Sequence, residues 1–134
     1  MVSKRLKFLL GLSLLLITTH GIEEVLTGFL YKDSFISFFS ELAATKGELF
    51  YWSFHSMWWL MLIVVYLLIL GGRWALIPLS LFGIVFFFEA HHLIKAILAG
   101  GYYPGSISAF FYPILGVFYW KEIIKSWKNK YGRS

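Results

Sequence analysis

Cysteine is absent from this 134-residue sequence. Disulfides, thiolate metal sites and a cysteine nucleophile are therefore excluded. Charge is scarce as well: only 14% of the residues are Asp, Glu, Lys or Arg, against about 25% in an ordinary soluble domain. Regular alternation of apolar and polar residues is missing, which argues against a transmembrane β-barrel. An internal repeat, a disordered linker and a composition shift that would mark a domain boundary are missing too, so residues 1–134 read as a single domain.

What fills the chain instead is apolar side chain, 59% of it, gathered into long runs. Runs of about 20 residues cross a hydrocarbon layer of roughly 30 Å as helix. The expected class is an all-α integral membrane protein, a four-helix bundle in one transmembrane domain. The spans are placed at about residues 7–31, 49–70, 74–99 and 106–126. Gly71-Gly72-Arg73 and the stretch from Gly100 to Gly105 supply turns. Pro78 falls in the first turns of the third span, where it is tolerated. The basic start of the first run resembles a secretory signal, but Thr18–Glu23 is a poor cleavage site and the apolar run resumes after it. Between spans one and two, Phe35, Phe38, Phe39 and Leu42 recur at helical spacing, and Asp33 or Ser34 is placed to cap the start. A short amphipathic helix lying in the membrane interface is expected there, with a structured loop as the alternative.

The formal net charge is +5, and its distribution matters more than its sum. Lys4, Arg5 and Lys7 precede the first span; Lys121, Lys125, Lys128, Lys130 and Arg133 cluster towards the C-terminal end; Arg73 sits in the short turn between spans two and three. Basic residues retained on the inner side put these three segments, and both termini, in the cytoplasm, and make the lipid bilayer the main partner. Because these clusters flank apolar spans, no nucleic-acid partner is expected. Trp52, Trp58, Trp59, Trp74, Trp120 and Trp127 suit interfacial belts. Phe86-Phe87-Phe88 is read as lipid-facing or core packing. Lys95 is expected to snorkel to the outer surface or to bind an anionic headgroup beside His91. Tyr102-Tyr103-Pro104-Gly105 reads as a turn, or as a lid over a site below it.

Against this apolar background the string "HGIEE", residues 20–24, stands out. His20, Glu23 and Glu24 are spaced i, i+3, i+4 and share a helix face. A second cluster, Glu89-Ala90-His91-His92, puts Glu89 and His92 on one face and turns His91 roughly 100° away from His92. At 1.5 Å per residue, His20 lies about 18 Å and Glu24 about 24 Å from the inner end of span one; Glu89 and His92 lie about 22 and 27 Å up span three. His55, about 9 Å from the outer end of span two, reaches a similar height. Three spans thus place His or Glu in one layer of the outer half. Each ionisable group near a helix centre costs about 2.5–3.5 kcal/mol on insertion, so Glu23, Glu24 and Glu89 together cost roughly 8–10 kcal/mol if unpaired. Such groups must pair, neutralise, ligate a metal or line a wet cavity.

Glutamate and histidine without cysteine suit zinc, with iron or manganese as the other candidates. E-x-x-H pairs projecting inward are how dimetal sites are built into four-helix bundles. Parallel spans one and three would bring His20 near Glu89, and Glu23 or Glu24 near His92. The candidate metal ligands are His20, Glu23, Glu89 and His92; the candidate catalytic residues are Glu24, as general base, and His55. Which of the two adjacent glutamates is the ligand stays open, as does a structural network of His–Glu pairs that joins the helices.

These residues resemble a known family. His20-x-x-Glu23-Glu24 is similar to the defining motif of the HXXEE-motif family of small multispanning membrane proteins. Glu89-Ala90-His91-His92 and Tyr103-Pro104-Gly105 resemble that family's later motifs. The likeness runs from span one to the start of span four. It adds weight to His20, Glu23, Glu24 and His92, but the family has no established activity and supplies no substrate.

The function expected from the residues is a metal-dependent membrane enzyme, a hydrolase of a lipid or other apolar substrate. Two alternatives stay open. One is a metal-free Glu/His acid–base isomerase. The other is not an enzyme: a proton or ion transporter, which four spans would build as a homo-oligomer, or an interaction subunit.

Overall fold

A computed structural model describes residues 2–42, 46, 47, 49, 51–53, 55, 56, 59, 62, 63, 66 and 75–131, and every regular element among them is helical. Helix α1 spans Lys4–Thr27. Ser3 caps it, its hydroxyl accepting from the Leu6 N–H at 3.0 Å. Lys4, Arg5 and Lys7 crowd this N-terminus with no acidic residue in the first turn. That placement opposes the helix dipole. The helix closes at Gly28 in the left-handed conformation, earlier than the expected end near residue 31. A four-residue helix α2, Phe29–Lys32, follows, and Asp33 in extended geometry turns the chain into α3, Ser34–Leu42.

Helix α3 is the short helix expected between the spans. Its contact with the protein is made by Ile36 and Ser40, both buried, while Phe38 and Leu42 remain exposed. Phe38 and Leu42 therefore form an apolar face without cover from the described residues, as an interfacial helix requires. The second predicted span is described only at residues 49, 51–53, 55, 56, 59, 62, 63 and 66, all helical. The turn expected at Gly71-Gly72-Arg73 lies outside the described residues.

The third stretch is three nearly continuous helices: α4, Leu76–Phe82; α5, Val85–Phe88; and α6, Ala90–Leu98. Pro78 falls in the first turn of α4. The breaks are local tightenings, not reversals. Gly83, Ile84 and Glu89 keep right-handed helical dihedrals, and the His92 N–H reaches the Glu89 carbonyl three residues back at 3.3 Å. Side chains at i and i+3 eclipse in such a tightened turn, which stacks Glu89 over His92. The last stretch is α7, Ser106–Ala109, and α8, Phe111–Tyr131. Three helical stretches are long and apolar enough to cross a membrane: Lys4–Thr27, Leu76–Leu98 and Ser106–Asn129.

The buried face of α1 steps along Leu6, Leu9, Leu10, Ser13 and Ile17. It meets Leu79, Phe82, Val85 and Phe86 from the third stretch and Tyr112, Tyr119 and Ile123 from the fourth in one core. Ser3 bonds Glu122 at 3.2 Å while Glu23 meets Ser108, so α1 runs antiparallel to the fourth stretch. Trp127 bonds Ser80 at one end and Phe86 packs on Tyr112 towards the other, so the third stretch is antiparallel to it too. The first and third stretches are therefore parallel, which brings the C-terminal ends of α1 and α6 together. Phe86 lies in the core, whereas Phe87 and Phe88 face outward. Trp120, expected in an interfacial belt, is drawn inward: its indole N–H donates to the Gly83 carbonyl at 3.0 Å. A Cβ at Gly83 would stand 2.9 Å from that ring, so glycine is what admits it.

Candidate metal centre

The buried stripe of α1 continues past Ile17 into His20 and Glu24. The spacing that buries leucines along the helix therefore also buries these two polar side chains, and it leaves Glu23 off the stripe. His20 is 4% exposed, Glu24 5% and His92 0%. Their interactions with one another are consequently strong, and an unpaired polar atom among them is costly.

His20 Nε2 lies 3.0 Å from Glu89 Oε2 and 3.5 Å from Glu24 Oε1. His92 Nε2 lies 3.2 Å from Glu24 Oε1 and 3.4 Å from Glu89 Oε2. Two imidazoles and two carboxylates thus form a square of alternating type, with the rings edge to face at 4.6 Å. The ligand atoms of His20, Glu89 and His92 all fall within 4.8 Å of one another. His55 adds an edge, its Nε2 standing 3.4 Å from Glu24 Oε2, where the Tyr51 hydroxyl also donates at 3.3 Å.

The protons on these rings follow from what faces Nδ1. His92 Nδ1 lies 2.6 Å from the Pro104 carbonyl, and His55 Nδ1 lies 3.2 Å from the Tyr51 carbonyl. A carbonyl only accepts, so both rings donate from Nδ1, and a neutral ring has its lone pair on Nε2. Yet Nε2 of His20 and Nε2 of His92 are buried without a hydrogen-bond partner among the described residues, although carboxylate oxygens stand close by. Lone pairs aimed at carboxylates repel unless a proton or a cation sits between them. Two histidines and one glutamate are a ligand set that leaves a coordination position open on zinc, so the donor chemistry fits a divalent ion.

Glu23, expected among the ligands, is placed elsewhere. Its carboxylate accepts from the backbone N–H groups of Ile107 at 3.1 Å and Ser108 at 2.8 Å, and from the Tyr102 hydroxyl at 3.0 Å. The Ser108 hydroxyl also lies 2.5 Å from it, and 2.8 Å from His20 Nδ1. Glu24 stands among the histidines instead. His91 is outside the group: its Nδ1 donates to the Phe88 carbonyl at 2.8 Å, and its ring lies against that of His92.

The Tyr102–Gly105 turn presses directly on the centre. Gly105 has φ +83°, and a Cβ there would stand 2.7 Å from the His20 ring and 2.8 Å from the His92 ring. Beyond the turn, Lys95 does not snorkel outward. Its ammonium pairs with the buried Asp33 carboxylate, which also accepts from the Tyr103 hydroxyl at 2.6 Å. Burial, with Asp33 alongside, pushes the Tyr103 hydroxyl above the ordinary tyrosine value, so it stays a donor. Residues that the sequence did not single out are Ser108, Pro104 as a carbonyl acceptor, and Tyr112, whose buried hydroxyl has no partner among the described residues and whose ring lies 5.3 Å from that of His20. Compared with family models, curated proteins and solved structures, the chain matches none.

Proposed function

We propose that the chain is a polytopic membrane enzyme of four spans that holds a divalent metal ion, zinc by its donor set, and hydrolyses a lipid or other apolar substrate. The observation that carries this reading is the pair of buried Nε2 atoms of His20 and His92, without a hydrogen-bond partner among the described residues, converging on Glu24 and Glu89. His20, His92 and Glu89 are the ligands. A divalent ion in that site would supply Lewis-acid chemistry, polarising a carbonyl group and making a water more acidic. The remaining work falls to the chain. Glu24, within 3.5 Å of both ligand histidines, takes the proton of the attacking water and returns it to the leaving group. The Tyr51 hydroxyl donates to the far oxygen of Glu24 and fixes its orientation, and His55 pairs with the same oxygen when both of its ring nitrogens are protonated. The Tyr112 hydroxyl, buried without a partner among the described residues, supplies a donor for a substrate oxygen.

The rest of the reading follows the same residues. The "HGIEE" string, the Glu89–His92 cluster and the Tyr-Pro-Gly turn support membership of the HXXEE-motif family. Basic residues at both ends support cytoplasmic termini, which sets the centre in the outer half of the bilayer. A carboxylate ringed by three imidazoles also suits metal-free proton transfer on an apolar substrate, the second reading.

Elemental analysis separates the two. Wild type purified in detergent without chelator carries stoichiometric metal; His20→Ala and His92→Ala lose it, and His91→Ala keeps it. Metal absent from wild type, or kept by both His20→Ala and His92→Ala, refutes the metalloenzyme and leaves the acid–base reading. A sealed-vesicle flux assay that shows proton or ion movement would favour a transporter over either.

A further inference from the structure

We propose that Glu23 and Ser108 are positioning residues for the metal centre, together fixing the proton of His20 on Nδ1 so that Nε2 is the atom offered to the ion. The inference deepens the metal reading, although the proton placement itself stands on geometry that needs no metal.

The Ser108 hydroxyl has one hydrogen and three neighbours: Glu23 Oε2 at 2.5 Å, His20 Nδ1 at 2.8 Å and the Gly105 carbonyl at 3.3 Å. A carboxylate can only accept, and it is the nearest of the three, so the hydrogen goes to Glu23. What Ser108 turns towards His20 is then a lone pair, and His20 Nδ1 must be the donor. Glu23 is itself held immobile. One oxygen accepts from the Ile107 N–H and the Tyr102 hydroxyl, the other from the Ser108 N–H and hydroxyl. Four donors on an acceptor-only group leave no freedom for the Ser108 hydroxyl to reverse.

His92 is set to the same tautomer by a different partner, the Pro104 carbonyl at 2.6 Å. The two ligand imidazoles come from α1 and α6, but both Nδ1 protons are read by one short segment, residues 104–108. The same segment seats Gly105 against both rings. The adjacent glutamates of "HGIEE" thus divide the labour: Glu24 faces into the centre, and Glu23 fixes the wall that orients it. Outer partners of this kind typically contribute ten- to a hundred-fold to metal affinity.

The test uses the full chain in detergent with 15N-labelled histidine, and inorganic zinc as the probe. In wild type, His20 carries its proton on Nδ1 both without and with zinc. In Ser108→Ala the acceptor is gone, and in the zinc-free protein the proton moves to Nε2, which faces Glu89 at 3.0 Å. Zinc must then displace that proton, and affinity falls ten- to a hundred-fold. Ser108→Thr restores both readouts. Ser106→Ala, at a hydroxyl that accepts only from the nearby Tyr103 N–H among the described residues, changes neither. A wild-type His20 with no proton on Nδ1 overturns the proposal, and so does Ser108→Ala with unchanged proton placement and zinc affinity. Should Ser108→Ala fail to fold, the wild-type spectrum still decides. Wild type that takes up no zinc refutes the metal reading alone, because the zinc-free spectrum reports the proton on Nδ1 regardless.

Discussion

Gly105 offers a measurement of how tightly the Tyr102–Gly105 turn closes on the histidines. Its φ is +83°, and a Cβ there would come within 2.7–2.9 Å of His20 and His92. Gly105→Ala therefore carries two penalties. The left-handed backbone costs an L-residue about 1–2 kcal/mol, and forcing a methyl into a filled site costs about 1–3 kcal/mol more. Gly100 separates them, because it is also left-handed, φ +65°, yet a Cβ there meets nothing within 4 Å. Gly100→Ala should therefore lose only the backbone term. Gly101 has neither feature, and alanine there should be neutral or slightly stabilising. The expected order of melting temperature in detergent is Gly101→Ala, then Gly100→Ala, then Gly105→Ala, and only Gly105→Ala should also lower bound metal, since its methyl displaces ligand rings. Equal melting and equal metal content for Gly100→Ala and Gly105→Ala would refute the closure of this turn over the centre.

Other substitutions probe other parts of the same assembly. Tyr112→Phe removes a buried hydroxyl that has no partner among the described residues; it should leave stability unchanged or raise it by about 1 kcal/mol and keep the metal, and a lowered melt would mean that the hydroxyl is bonded in the free protein. Lys95→Met leaves Asp33 buried beside an apolar chain and should cost up to about 3 kcal/mol, discounted because Lys95 is partly exposed; the double variant with Asp33→Asn should recover most of it, which a denaturation series would show. Chelation of metal-loaded protein should lower its melting temperature, because an ion bound only to the folded state stabilises it by mass action; an unchanged melt would identify the metal as adventitious. A cysteine placed at the exposed Gly101 should label from outside intact cells and one at Ser134 should not; the reverse pattern would put the centre in the inner leaflet.

Much of this arrangement is legible in the sequence because it follows from period and length. Apolar runs of span length mark the three long stretches, and the helix rise alone puts His20, Glu24, Glu89 and His92 at a common level. The choice between Glu23 and Glu24 is also written there, in the stripe Leu6, Leu9, Leu10, Ser13, Ile17 that His20 and Glu24 extend. Counting polar residues by i, i+3 and i+4 among themselves hides that choice, since both glutamates satisfy it. Ser108 could not be read, because nothing local distinguishes it from Ser106; its role depends on a partner 85 residues away. Asp33 was legible only as a cap. Its ties to Lys95 and Tyr103 span 62 and 70 residues, and they reverse the expectation that Lys95 reaches outward. Trp120 fails the interfacial rule for a packing reason: Gly83 leaves a slot that an indole fills, and the carbonyl exposed in the slot bonds its N–H.

The partners of the acidic residues set one cluster apart from the others. Glu122 is held by the Ser3 hydroxyl and lies 3.6 Å from the Arg5 guanidinium. Asp33 has the Lys95 ammonium and the Tyr103 hydroxyl. Glu23 has two backbone N–H groups and two hydroxyls. Each of these is compensated by groups that belong permanently to the chain. Glu24 and Glu89 differ. The basic groups beside them among the described residues are imidazoles, which are positive only when they hold a proton. Beyond the Tyr51 hydroxyl on Glu24, their compensation therefore comes from a charge that can arrive and leave, a proton or a metal ion. A fixed cation would stabilise these helices equally well and do no chemistry. Dependence of this one pair of carboxylates on an exchangeable charge is what the proposed catalytic centre requires and a structural ion pair does not.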